Sequence, residues 1–280
     1  MKPNNLKTKI FLDSGDPKET EEIKNLLGFL DGQTTNPSLI AKNPDALGKK
    51  FSKEEIASFY KDVVEKVNSI IPEGSISIEV YADKDSTSDV LLEEGRKMFS
   101  WIPNAHIKYP ITKAGLEAAE KSVKEGIRLN MTLCFSQEQA AAVYSATSGG
   151  GNTYVSPFAG RWDDKGFNGM DLIKNILKMY ENGDGHVKVL AASIRNMDHF
   201  LCSLAMGADI ITAPFKILKE WADNGMQIPG PDYVYPKGEL KEIPYQEISL
   251  DKPWQEYEIL HEMTDAGLEK FSTDWNNLIA

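Results

Sequence analysis

The chain has 280 residues, of which 41% are hydrophobic and 26% are charged, a composition typical of a globular protein with a large core. A formal charge of −11 disfavours nucleic acid or an anionic membrane as a partner, although a few arginines can still bind a phosphorylated substrate. Cys134 and Cys202 are the two cysteines, so we expect a reducing compartment and no disulfide framework. With no apolar signal segment and no membrane-spanning stretch, we expect a cytoplasmic protein.

Strand-like and helix-like patterns alternate along most of the chain. The predicted strands are, in order, residues 9–13, 32–36, 75–80, 105–109, 128–133, 153–156, 187–193 and 209–212. The clearest helix runs from Ile56 to Ile71 after a capping box at Ser52 and Glu55, and another begins at Ser136. Eight such units predict a single (β/α)8 barrel over residues 1–280, although a doubly wound open sheet also satisfies the alternation.

The last quarter of the chain departs from this alternation. Residues 227–257 are rich in Pro, Tyr, Glu and Lys without a clear period, which predicts a long irregular segment. Residues 254–279 show a helical pattern, with Leu268, Phe271 and Trp275 near one face. We expect this C-terminal helix to pack across the barrel or against a neighbouring subunit, and the pattern does not choose between them.

Polar residues recur at the ends of the predicted strands, where buried parallel strands are normally apolar. They are Asp13, Thr34, Asn36, Glu79, Lys108, Asn130, Thr132 and Ser156, with Ser193 and Arg195 after the seventh strand. In a βα-barrel all carboxyl ends of the strands meet at one mouth, where active sites lie. The set suits carbonyl chemistry, in which a lysine condenses with a ketone and carboxylates move protons.

Lys108 is the most informative of these residues. It follows an apolar β-type segment and is followed at once by Tyr109-Pro110, which fixes the cation at a strand terminus. A lysine held there can lose water and act as an amine nucleophile towards a carbonyl. Taken alone, it is more simply explained as a surface lysine whose stem lies on apolar surface.

Simpler structural explanations exist for the other residues as well. Asp13 could cap the helix that begins near residue 17, and Asn36 could be a turn residue before a proline. Glu79 could face solvent, Arg161 could form surface ion pairs with the aspartates that follow it, and Arg195 could lie at a solvated helix start. Together these explanations require many coincidences at one barrel mouth. The four histidines lack metal-ligand spacing, so we expect no metal site.

Ordered motifs give the chain a resemblance to the transaldolase family that runs nearly end to end. They are Leu12-Asp-Ser14, Asp31-Gly-Gln-Thr-Thr-Asn-Pro-Ser38, Ile107-Lys-Tyr-Pro-Ile-Thr112, Gly126-Ile-Arg-Leu-Asn-Met-Thr-Leu133, Val155-Ser-Pro-Phe-Ala-Gly-Arg161, Leu190-Ala-Ala-Ser-Ile-Arg-Asn196 and, near the end, Lys270-Phe271. One short motif is weak, whereas this many in order are specific. The resemblance implies a class I aldolase barrel that needs neither metal nor organic cofactor, and it raises the expectation of a homodimer.

The resemblance also implies a reaction and its catalytic groups. A dihydroxyacetone unit moves from sedoheptulose 7-phosphate or fructose 6-phosphate to glyceraldehyde 3-phosphate or erythrose 4-phosphate, in the non-oxidative pentose phosphate pathway. Lys108 matches the Schiff-base lysine, and Asp13 matches the carboxylate that takes the proton of the donor's C4 hydroxyl. Glu79 matches the residue that moves protons through a water positioned with Thr132.

Further positions match substrate-binding residues of that family. They are Thr34, Asn36, Asn130, Ser156 and Phe158 towards the donor, and Arg161, Ser193 and Arg195 at its phosphate. Two guanidinium groups and a hydroxyl suit a phosphate dianion. The partners implied are therefore small sugar phosphates.

Two alternatives remain open. The related fructose 6-phosphate aldolases use the same lysine but carry glutamine at the position of Glu79 and tyrosine at that of Phe158, which favours release of free dihydroxyacetone. Glu79 and Phe158 therefore favour transfer in this chain. A barrel that binds sugar phosphates without turning them over is the other alternative, which loss of the lysine or the acidic pair would have favoured.

Overall fold

The computed structural model describes residues 2–280, in which eight parallel strands close into a barrel. The strands are β1 (Lys9–Asp13), β2 (Gly32–Thr34), β3 (Ser75–Glu79), β4 (Ala105–Pro110), β5 (Leu129–Cys134), β6 (Thr153–Pro157), β7 (Val187–Ala191) and β8 (Ile210–Ala213). Each strand pairs with the next in the sequence, and β8 pairs with β1. This confirms the predicted (β/α)8 barrel and excludes the open sheet.

Helices cover the barrel between the strands. They are α1 (Pro17–Leu27), α2 (Pro37–Ala41), α3 (Lys53–Ile70), α4 (Ser88–Phe99), α5 (Lys113–Lys124), α6 (Gln137–Ala146), α7 (Ala159–Asp163), α8 (Gly169–Tyr180), α9 (Met197–Ala205), α10 (Phe215–Asp223) and α11 (Glu262–Asn276). Ser52 and Glu55 form the predicted capping box of α3. Ser136 caps α6, which confirms the predicted start of that helix, and the Gln139 side-chain oxygen accepts a hydrogen bond from the Phe135 N–H.

Two strands end two residues earlier than predicted, each for a local reason. β2 stops at Thr34 because Asn36 caps α2, its Oδ1 accepting a hydrogen bond of 2.9 Å from the Leu39 N–H. β7 stops at Ala191 because the backbone turns at Ser193, where φ is 57°. Both strand ends therefore become loops at the mouth of the barrel.

The barrel interior contains one apolar cluster. Strand side chains alternate between the interior and the surrounding helices. Phe11, Tyr154, Leu190, Ala192 and Ile210 form an apolar cluster inside β1, β6, β7 and β8. Gly32 leaves room for it, because a Cβ there would lie 2.6 Å from the Phe11 ring.

The C-terminal part of the chain corrects one prediction. The expected helix over residues 254–279 is wrong at its start, since Trp254–Glu256 form only one 3₁₀ turn and α11 begins at Glu262. Tertiary contacts hold the intervening chain extended: the Trp254 indole N–H donates to Glu120, and the Tyr257 hydroxyl donates to the Ser249 carbonyl. α11 packs on α2 and β5 of its own barrel.

The segment between α10 and the 3₁₀ turn forms neither helix nor strand, apart from a β-bridge between Lys241 and Phe167. This agrees with the predicted irregular segment, residues 227–257. Among residues 2–280, no helix is both long enough and apolar enough to cross a membrane.

Candidate active site

Lys108 lies on the inward face of β4, where its side chain is only 6% exposed. Its Nζ is 2.7 Å from Glu79 Oε2 and donates a hydrogen bond of 3.0 Å to the Thr35 carbonyl. Glu79 and Lys108 are paired residues in the register of β3 and β4, so their side chains leave adjacent strands on the same face. The surface-lysine and solvent-facing explanations of these residues are therefore wrong.

Tyr60 of α3 supports this ion pair from behind the barrel. Its hydroxyl accepts a hydrogen bond of 3.0 Å from the Glu79 backbone N–H and lies 2.5 Å from Thr35 Oγ1. One helix residue thus holds both partners of Lys108. The sequence alone does not predict this role, because Tyr60 falls on the apolar face of α3; a hydroxyl on that buried face was the available signal.

Asp13 ends β1 at the same mouth. Its Oδ1 accepts a hydrogen bond of 2.6 Å from the hydroxyl of Thr34, its paired residue on β2. Thr34 Oγ1 also lies 2.6 Å from Thr212 Oγ1 on β8. The N-terminus of α1 is capped by Asp16, not by Asp13, so the explanation of Asp13 as a helix cap is wrong.

Burial raises the pKa of both carboxyl groups. For Asp13 and for Glu79 the largest cause is lost hydration, which the positive charge of Lys108 partly offsets. The charge of Asp13 raises the pKa of Glu79 further. Two acids with raised pKa beside one amine are equipped to take up and return protons.

A hydrogen-bonded chain crosses the barrel floor from β6 to β3. Ser156 Oγ donates to Asn130 Oδ1 at 2.7 Å, and Asn130 Nδ2 donates to Ser77 Oγ at 3.0 Å. All three side chains are buried. The chain fixes the orientation of the Asn130 amide and satisfies part of its hydrogen-bonding capacity.

Two buried oxygen atoms near Lys108 have hydrogen-bonding capacity to spare. Thr132 Oγ1, on the inward face of β5, has no hydrogen-bond partner among residues 2–280. Glu79 Oε2 lies 2.7 Å from Lys108 Nζ in an ion pair and has no other partner among residues 2–280. Buried polar atoms are normally satisfied, so this pair is suited to a substrate hydroxyl or a water molecule.

Arg161 of α7 is half-buried at one side of the mouth. Its guanidinium lies 5.2 Å from the Phe158 ring centre, 5.7 Å from that of Phe271 and 5.8 Å from that of Phe135. Burial and the nearby charge of Arg195 lower the pKa of Arg161. An anion bound between the two guanidinium groups would stabilise the charged form of Arg161, which burial and the charge of Arg195 disfavour.

Arg195 faces Arg161 from the loop after β7. Its side chain is 51% exposed, with Nη2 2.9 Å from Asp164 Oδ2 and Nε 3.4 Å from the Ser193 hydroxyl. Asp163 pairs with His199 and Asp164 pairs with Arg195, so the alternative explanation of Arg161 as the partner of these aspartates in surface ion pairs is wrong. Ser193 has the positive φ noted above, a strained conformation that is concentrated at functional sites.

These elements surround a cavity of about 280 Å³ at the carboxyl ends of the strands. The predicted residues on its wall are Asp13, Thr34, Asn36, Lys108, Thr132, Ser156, Phe158, Arg161, Ser193 and Arg195. Glu79 and Asn130 lie one layer deeper, against Lys108 and Ser156. The residues predicted from strand ends thus meet at one place.

The wall also contains residues that the sequence alone does not predict as site residues. They are Ser38, Leu39, Lys42, Ala192, Ile194, Thr212, Pro214, Lys270 and Phe271. Lys270 and Phe271 belong to α11, and the Lys270-Phe271 motif was the one signal for them. With two arginines, Lys42 and Lys270 make the mouth basic in a protein whose net charge is −11.

Within residues 2–280, no three His, Cys, Asp or Glu side chains are grouped so that they could hold a metal ion. Cys134 is buried and burial raises the pKa of its thiol to about 12, which agrees with a packing role.

Comparison with known proteins gives one consistent result. Residues 10–280 match the family described as Transaldolase/Fructose-6-phosphate aldolase. A probable transaldolase of Caulobacter sp. (strain K31) is 39% identical over 236 residues, covering 78% of this chain and 99% of its own. A probable transaldolase of Dehalococcoides mccartyi is 35% identical over 272 residues, which cover 96% of this chain and 99% of the relative. A probable transaldolase of Paracoccus denitrificans is 34% identical over 267 residues, which cover 95% of this chain and 96% of the relative.

Proposed function

Because this chain belongs to the transaldolase/fructose-6-phosphate aldolase family, we propose that it transfers a dihydroxyacetone unit between sugar phosphates through an imine on Lys108. The donor is fructose 6-phosphate or sedoheptulose 7-phosphate, and the acceptor is erythrose 4-phosphate or glyceraldehyde 3-phosphate, as in the non-oxidative pentose phosphate pathway. One observation carries the proposal: a buried amine lies 2.7 Å from a carboxylate whose pKa is raised, on the wall of a cavity that also holds Asp13.

Imine formation begins with a proton transfer. The Lys108 ammonium gives a proton to Glu79, and the neutral amine then attacks the C2 carbonyl carbon of the donor. The carbinolamine loses its hydroxyl as water, which needs a proton from Glu79, and leaves an iminium ion. The free capacity of Thr132 Oγ1 and Glu79 Oε2 supports a relay in which a water passes these protons.

Cleavage and transfer use Asp13 as the second group that moves protons. Its carboxylate takes the proton of the C4 hydroxyl, the C3–C4 bond breaks, and the electron pair moves into the iminium to form an enamine. The aldehyde product leaves and the acceptor aldehyde enters. The enamine carbon attacks the acceptor carbonyl carbon while Asp13 returns its proton to the new hydroxyl, and water then hydrolyses the imine.

The remaining polar residues hold the sugar. Arg161, Arg195 and Ser193 bind the phosphate, and Asn130 and Ser156 hold hydroxyl groups of the three-carbon unit. Thr34 orients the Asp13 carboxylate through its 2.6 Å hydrogen bond. Asn36 reaches the cavity from the cap of α2, and Phe158 packs on the Arg161 guanidinium.

A product assay tests the proposal. Purified protein is given fructose 6-phosphate with or without erythrose 4-phosphate, and the products are separated by chromatography. We expect sedoheptulose 7-phosphate and glyceraldehyde 3-phosphate with the acceptor present, and little free dihydroxyacetone without it. Free dihydroxyacetone as the main product in both reactions would identify an aldolase instead, and no product in either would identify a binding protein.

A further inference from the structure

The irregular segment, residues 227–257, is attached to the side of the barrel that carries the two arginines. The Asn168 N–H donates to the Lys241 carbonyl at 2.7 Å, and the Asn175 side chain donates to the Ile243 carbonyl at 2.9 Å. These bonds fix the segment along α8 and the loop before it. The reaction steps above give the segment no role.

Tyr235 of this segment enters a hydrogen-bonded cluster beneath the phosphate side of the cavity. Its hydroxyl lies 2.5 Å from Asp163 Oδ2 and 2.9 Å from His199 Nε2. His199 Nε2 is itself 2.9 Å from the same carboxylate oxygen. The Gly169 N–H donates to the other oxygen, Asp163 Oδ1, at 2.9 Å. His199 is fully buried, so this cluster is a fixed part of the fold.

Two members of the cluster, Asp163 and His199, are joined to the elements that carry the two arginines. Asp163 is the last residue of α7, the short helix that carries Arg161. His199 Nδ1 accepts a hydrogen bond of 3.2 Å from the Arg195 backbone N–H. Because Nδ1 is an acceptor, the proton of a neutral His199 lies on Nε2 and is donated to Asp163.

The two elements that carry the arginines, α7 and the loop after β7, also contact each other directly. The Gly160 N–H donates to the Ser193 carbonyl at 3.0 Å, and a Cβ on Gly160 would lie 2.9 Å from Arg195 Nε. The backbone of α7 and the loop after β7 are therefore in close contact near Gly160. The cluster of Asp163, His199 and Tyr235 holds the same two elements together at a second place.

We propose that Tyr235 is a positioning residue for the phosphate subsite, acting through Asp163 and His199 on the spacing of Arg161 and Arg195. The inference rests on the proposed function in one respect, namely that the two arginines bind the phosphate of the sugar. It assigns the irregular segment the role of fixing a subsite that it does not touch. Bidentate recognition of phosphate depends on guanidinium placement, so small shifts are expected to cost affinity.

The test compares two tyrosines of the same segment. Tyr233 is half-buried like Tyr235, but its hydroxyl donates to Asp198 Oδ1 at 2.7 Å rather than to Asp163. Inorganic phosphate is titrated into wild-type protein, Tyr235→Phe and Tyr233→Phe by calorimetry. We expect Tyr235→Phe to raise the Kd for phosphate roughly five- to tenfold, the effect of losing one hydrogen bond, and Tyr233→Phe to leave it unchanged.

Kinetics supply the second readout. For Tyr235→Phe, the KM for fructose 6-phosphate should rise by a similar factor while kcat and the rate with unphosphorylated fructose stay unchanged. Should Tyr235→Phe not fold, Asp163→Ala removes the same link and is expected to weaken phosphate binding in the same direction. Equal phosphate affinity in wild type and Tyr235→Phe, or equal losses in both tyrosine variants, would overturn the inference. Phosphate binding needs no turnover, so an inactive wild type that still binds phosphate would refute the transfer reaction alone.

Discussion

At the scale of single residues, the proposed chemistry depends on an amine rather than on a positive charge. We expect Lys108→Arg to lower transfer activity roughly a thousandfold or more, because a guanidinium keeps its charge and cannot form an imine. The fold should survive, since the ion pair with Glu79 can be kept. Activity and thermal unfolding are measured together.

Lys113→Arg is the matched control for this substitution. Lys113 is exposed at the start of α5, a few residues further along the chain, and its exchange should change neither activity nor stability. Substantial transfer activity in Lys108→Arg would remove Lys108 from its role.

Glu79 is expected to govern what happens to the intermediate. We expect Glu79→Gln to shift products from sedoheptulose 7-phosphate towards free dihydroxyacetone, because an amide cannot relay protons through Thr132 and water. The ratio of the two products, measured with erythrose 4-phosphate present, is the readout. A ratio equal to that of the wild type would show that Glu79 does not control this partition.

Asp13 is expected to be needed for activity and, when ionised, to lower the stability of the fold. Its pKa is raised by burial, so the folded protein binds this proton more tightly than the unfolded chain does. The ionised group therefore costs stability above the unfolded-state pKa, and the cost vanishes below about pH 4. We expect Asp13→Asn to be inactive yet to melt higher than wild type at pH 7, with the difference shrinking as the pH falls.

Melting curves of Asp13→Asn and wild type between pH 4 and pH 7 check the sign. The acid limb of the wild-type kcat/KM profile gives an independent measure, because the ionised form of Asp13 is the base. That limb should lie above the ordinary aspartate pKa of about 3.9. A variant that is less stable than wild type at pH 7 and equal to it at pH 4 would reverse the assigned direction.

At the scale of elements, α11 forms one wall of the proposed phosphate subsite. A Cβ on Gly267 would lie 2.5 Å from Arg161 Nη1 and 2.6 Å from Leu133 Cδ2. Since both atoms end flexible side chains, we expect Gly267→Ala to displace the guanidinium rather than unfold the helix. The KM for fructose 6-phosphate should rise several-fold, by roughly the effect of weakening one charge-assisted contact.

Glu269→Ala serves as the control for α11, because Glu269 is exposed two residues further on in the same helix. Its KM should match the wild type. If Gly267→Ala left the KM unchanged while lowering the melting temperature, the contact would be structural and not part of substrate binding.

Features of the elements that depend on local sequence could be predicted, and those that depend on tertiary packing could not. Strand positions and the Ser52 cap follow from local patterns, so they were predicted within a few residues. Tyr60, Thr212 and Lys270 reach the site through tertiary packing of distant elements. A single hydroxyl on a buried helix face and a two-residue motif were the local signals for Tyr60 and Lys270, and neither predicts the packing. The start of α11 was wrong for the same reason, because side-chain contacts of Trp254 override a helical pattern.

At the scale of the whole molecule, closure of the barrel is what assembles the site. Thr34 and Thr212 are 178 residues apart in the sequence, yet their hydroxyls lie 2.6 Å apart because β8 pairs with β1. The polar strand ends could be predicted to converge once a closed barrel was assumed. Their distances could not, since they depend on strand register and on the position of each side chain along its strand.

Borohydride reduction with fructose 6-phosphate tests the central claim most directly. A transient imine between the sugar and the protein becomes a stable secondary amine on reduction, and peptide mass spectrometry locates it. We predict a sugar-derived adduct on Lys108 in wild-type protein, and none in Lys108→Arg or without the sugar. An unmodified Lys108 in protein that still binds fructose 6-phosphate, or an adduct on another lysine, would contradict the account.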